Sequence, residues 1–161
     1  MQYHYATMYY HLLATHSLFR WLVLASMLAT IIRSFYCWSR NKPFTPRDNT
    51  LRLVTTSIVH IQFVLGLVLY FISPLIVYFL QHFKESMHNR QLRFFGMEHI
   101  CVMLVAIVVI TIGSAKAKRQ PTARLKFKTM AIWFLVGLVL ILSSVPWAFS
   151  PLVSRPYFRP F

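Results

Sequence analysis

Five ionisable side chains lie inside stretches that otherwise read as hydrocarbon: His16, Arg20, His60, Glu98 and His99. A charge at the centre of a bilayer costs about 2.5–3.5 kcal/mol on insertion scales, so each needs a partner or a task. Two imidazoles at one depth on facing helices can hold a haem b, one on each side of the iron. An arginine and a carboxylate at one level can instead neutralise each other and tie two helices together. A lone imidazole can exchange a proton or bind a quinone.

Depth sorts these residues. At the helical rise, His16 sits about 6 Å below the outer edge of the first apolar run, and His99 about 7–8 Å below that of the third. His60 enters from the other side, about 10 Å up the second run, and lies well below both. Arg20 is one turn deeper than His16 on the same face. Gly96, His99, Met103, Ala106, Ile110 and Gly113 share one helical stripe. That stripe is small around the imidazole, as a face approaching a ring or another helix requires.

The expected site is therefore one haem b between the first and third runs. His16 and His99 would be its iron ligands, with His60 as an alternative ligand in a tilted geometry. Arg20, Glu98 and Gly96 complete the expected surroundings, with Arg20 facing a haem propionate or Glu98. Two other readings of the same residues stand beside it. In one, Arg20 and Glu98 form an interhelical pair in a structural or accessory subunit of a larger membrane complex. In the other, His60 or His99 serves a quinone site without metal. The plain reading of His60 is a hydrogen bond to a Ser or Thr of a neighbouring helix. Gln62 and Gly66 read as packing, and His4, His11, His82 and His88 as surface histidines.

Positioning such residues takes membrane-spanning helices. The chain of 161 residues is 57% hydrophobic and 12% charged, against about 25% charged in soluble domains. About 20 apolar residues cross a bilayer. Four segments qualify: 12–35, 53–73 with a kinked or interfacial extension to 80, 94–115 and 130–147. Pro74 ends the second crossing, because proline disfavours helix at the preceding residue. The expected fold is all-α: a single antiparallel four-helix bundle over 1–161, integral to the membrane. "RPYFRPF" at the C-terminus reads as an irregular interfacial tail.

The net charge of +14 reads as topology. The first and third connections carry five and six Lys or Arg, the second carries three. The positive-inside bias puts the first and third in the cytoplasm and both termini outside, facing the periplasm if the membrane is a bacterial inner membrane. A basic face on anionic lipid follows, and nucleic acid is not needed to explain the charge. Cys37 and Cys101 fall at opposite faces, so no mutual disulfide is expected. Phosphate-loop, HExxH and CxxCH motifs are absent, and no Ser/His/Asp set can be assembled. An electron carrier fits this inventory better than a free-standing enzyme.

"HSLFRWLVL" (16–24), "HIQFVLGLVLYFIS" (60–73), "MEHICVMLVAIVVITIG" (97–113) and "PW" (146–147) occur in that order. This pattern resembles small four-helix bacterial membrane proteins labelled cytochrome b or cytochrome-b561-like. The resemblance implies a haem-b electron carrier with histidine ligands drawn from His16, His60 and His99, exchanging electrons with quinol or a respiratory partner. A two-haem b561-type core needs four ligating histidines in two layers. This chain embeds three, so the resemblance implies a single haem.

Overall fold

The computed structural model describes residues 2–147 and 153, with side chains from Ala6 onward wherever placed. Among these residues every regular element is helical. The expected C-terminal tail lies outside the described residues.

Helix α1 spans Gln2–Ser39, longer at both ends than the 12–35 expected. No proline or glycine interrupts it before Pro43. It stops at Asn41, whose φ of 49° is left-handed, a conformation asparagine tolerates better than most residues. Lys42 N–H then bonds the Cys37 carbonyl at 3.0 Å, and Asn41 N–H the Trp38 carbonyl at 3.4 Å, the two bonds of a Schellman stop. Helix α2 spans Pro46–Ile72 and opens with a capping box between Thr45 and Asp48, with Pro46 in its first turn. Those signals start it well before residue 53.

The break at Pro74 falls where the sequence places it. Ser73 is extended (φ −74°, ψ 123°), and Pro74 opens the short helix α3, Pro74–Gln81. Helices α4 (Phe83–Ser86) and α5 (Arg90–Arg93) follow. A π-helical turn, Phe94–Glu98, leads directly into α6, His99–Arg119. Pro121 stops α6, and Thr122 caps α7, Ala123–Ser144, which therefore starts seven residues earlier than expected. Pro146 ends α7 just short of Trp147.

Among the described residues, four helical segments are long and apolar enough to cross a membrane: Ala6–Ser39, Pro46–Ile72, Arg90–Arg119 and Ala123–Ser144. The chain has the make-up of a multi-pass membrane protein, and its outward Leu, Val, Ile and Phe side chains suit lipid contact. Neighbours run α1, α2, α6, α7 and back to α1, so α1 and α6 lie diagonally across the centre. Met27, Ile110 and Phe134 are fully buried at the core. Bare Cα atoms bring α6 and α7 together, with Gly113 against Trp133 and Gly137 against Ile110, as small residues do in membrane interfaces.

The two halves of the bundle differ. Toward the α1–α2 and α6–α7 connections, polar side chains bolt the helices together. Thr30 and Thr55 hydroxyls meet at 2.8 Å. Buried Arg52 donates to the Ser114 carbonyl and hydroxyl and to Asn49 Oδ1, and Thr56 meets Ser114 at 3.1 Å. Arg33 pairs with Asp48 at 2.9 Å. The opposite half, toward the α2–α6 connection, encloses a cavity.

Candidate functional site

All four long helices line a cavity of about 410 Å³, within the range of sites that enclose small ligands and cofactors. His16 and Arg20 reach it from α1, Gln62, Gly66 and Tyr70 from α2, and His99 and Met103 from α6. Val145 and Pro146 border it past the end of α7. The two histidines matched by depth thus share one cavity, from diagonal helices.

His99 is oriented from three sides. Its Nδ1–H donates to the Ser144 carbonyl at 2.7 Å, since a carbonyl can only accept. That bond fixes the tautomer and leaves the lone pair on Nε2. The rings of Phe94 and Phe95 stand 5.8 and 6.4 Å from the imidazole. The π-turn produces the Phe94 contact: His99 N–H bonds the Phe94 carbonyl, so residues five apart line up where an α-turn would align those four apart.

His16 is set against α2. Gln62 Nε2–H donates to the His16 carbonyl at 3.0 Å, and the same nitrogen lies 3.4 Å from His16 Nε2. A Cβ at position 66 would stand 2.9 Å from His16 Cε1, so Gly66 makes room for the ring. His16 Nδ1 and Gln62 Oε1 are buried and have no hydrogen-bond partner among the described residues. The Arg20 guanidinium lies 5.3 Å from the Trp21 ring and 6.0 Å from the Trp147 ring. The two indoles pack edge to face at 6.2 Å. Trp147 here helps hold the cavity's arginine.

Three expectations need correction. Glu98 does not form the expected pair with Arg20. Its Oε1 accepts from Arg93 Nε at 2.7 Å, five residues back, which the π-turn again aligns. Gly96 does not clear space beside His99. It packs against the Phe79 ring of α3, and its carbonyl accepts from the Tyr70 hydroxyl at 2.9 Å. His60 is outside the cavity lining. Its Nδ1–H donates to the Thr56 carbonyl at 2.8 Å, and Nε2 lies 3.1 Å from the Thr111 hydroxyl of α6. This is the plain hydrogen-bonding reading, and it places His60 in the bolted half.

Gln62, Gly66, Tyr70, Ser144 and Trp147 were not singled out from the sequence as site residues. A signal existed for three of them: Gln62, Gly66 and Tyr70 recur every four residues and so form one helical face. Among the described residues, no group of three or more His, Cys, Asp or Glu could hold a metal ion. No family model, curated protein or solved structure matches the chain.

Proposed function

We propose that the chain is a membrane-embedded, b-type cytochrome-like electron carrier with one haem b between α1 and α6. The observation that carries this reading is that His16 and His99, on diagonal helices, line one cavity. Three features of the residues suit the group. His99 Nδ1–H is committed to a backbone carbonyl, the arrangement common for histidines that ligate a metal through Nε2. His16 has a buried ring nitrogen with no partner among the described residues. The donor set, two imidazoles, suits an iron that brings its own four equatorial nitrogens and suits a bare ion poorly.

His16 and His99 would hold the iron, and Arg20, backed by Trp21 and Trp147, would face a propionate. When bound, the haem supplies one-electron redox chemistry. The chain's own part is to hold the imidazoles, exclude water and set the local charge. The protein would exchange electrons with quinol or a respiratory partner. The basic connections favour a topology with the first and third loops in the cytoplasm and the cavity near the periplasmic face of a bacterial inner membrane.

A second reading is favoured by Gln62. Its amide next to His16 Nε2, with Arg20 and Tyr70 nearby, also suits a quinone ring held by hydrogen bonds without metal. A reduced-minus-oxidised visible spectrum of the protein purified in mild detergent separates the two. We expect a low-spin b-type spectrum, abolished in both His16→Ala and His99→Ala. A colourless preparation from haem-replete cells, with no recovery on adding haem, would overturn the haem reading.

A further inference from the structure

We infer that Tyr70 is a positioning residue for His99, acting through the π-turn that precedes it. The inference rests on the proposal that His99 ligates a group in the cavity. A π-turn is rare, because the chain relaxes readily to the α-helical ladder, and where it persists something holds it. Here the holds are visible. The Tyr70 hydroxyl donates to the Gly96 carbonyl in the middle of the turn. The Phe79 ring closes over the bare Cα of Gly96. Arg93 joins the turn to its approach through Glu98 and the Met87 carbonyl.

Of these side chains, only Tyr70 also lines the cavity. Tyr70 belongs to the cavity wall, and its hydroxyl bonds into the turn. If the turn relaxed to α-helix, one residue would pass back toward α5. Everything upstream of His99 would then rotate by about 100° about the axis, the step of one helical residue. Phe94 would leave the imidazole, and Glu98 would lose its alignment with Arg93. The hydroxyl of Tyr70 thus fixes which aromatic rings flank His99 and limits the plane the imidazole can take. Tyr70 need not touch the iron to do this.

The test uses the full-length protein with Tyr70→Phe, which keeps the ring and removes one hydroxyl. Tyr78→Phe is the control, because Tyr78 stacks on His82 outside the cavity. Two readouts are taken without haem: amide hydrogen exchange over 94–99, and the side-chain 15N resonances of His99. In Tyr70→Phe we expect exchange about fivefold faster, the loss of one hydrogen bond's worth of protection, together with shifted His99 ring resonances. Neither should change in Tyr78→Phe. Faster exchange with unmoved His99 resonances would overturn the positioning role, as would no change in either. The visible spectrum of haem-loaded wild type is recorded in parallel. Its absence would sink the haem reading alone, while the two haem-free readouts still decide the role of Tyr70.

Discussion

Gly66 leaves room for one imidazole and no more. In Gly66→Ala the new Cβ would press on His16 Cε1, and the helices or the ring must shift. We expect a loss of about 1–3 kcal/mol, the usual cost of overpacking, measured by unfolding in detergent. An unchanged midpoint would show that His16 does not rest on this helix. Glu98→Gln should cost little, under about 1 kcal/mol, because both partners of its pair with Arg93 are about a third exposed. Combined with Arg20→Gln, its effect should simply add. A coupling above about 0.5 kcal/mol would restore the interhelical pair. The contrast shows what residue counting can reach. His16 and His99 were paired by depth, which follows from position because helical rise is fixed, and they line one cavity. The partners of Glu98 and Gly96 were missed because counting assumed 3.6 residues per turn, and one π-turn realigns residues five apart.

At the scale of elements, the hydroxyls of α1 and α2 do in the bolted half what side-chain volume does elsewhere. A double-mutant cycle on Thr30→Val and Thr55→Val should give a coupling of about 0.6 kcal/mol, the average for hydrogen bonds between membrane helices. A value near zero would mean the two helices pack as well without the bond. The existence of the long helices was legible from hydropathy alone, and Pro74 marked the break. Their ends were less so. The capping box at Thr45 and the cap at Thr122 lie in polar sequence, so an apolar count starts both helices too late. The stop at Asn41 carries no glycine to announce it.

For the whole molecule, the distribution of Lys and Arg makes orientation testable. Single cysteines at Lys84 and Arg124, in a background with Cys37 and Cys101 replaced by Ser, should behave oppositely in intact cells. The first should react with an impermeant maleimide, and the second only after permeabilisation. The reverse pattern would invert the proposed topology. The helical bundle could be read from the sequence, since it follows from lengths along apolar segments, and the two histidines expected at one depth line one cavity. The cavity could not, because it depends on how side chains from all four helices pack at one end.

The position of the cavity has an electrical consequence. In the bolted half polar groups bond across the helices, and the cavity sits on one side of it, toward the α2–α6 connection. A unit charge crossing an entire membrane exchanges about 2.3 kcal/mol with each 100 mV of potential. In the proposed topology, a charge reaching the cavity from its near face would traverse only the minor part of that field, and one arriving from the basic face would cross the rest. On the proposed reading, a charge held near His16 and Arg20 would be coupled to the two sides of the membrane unequally, by the placement of the cavity.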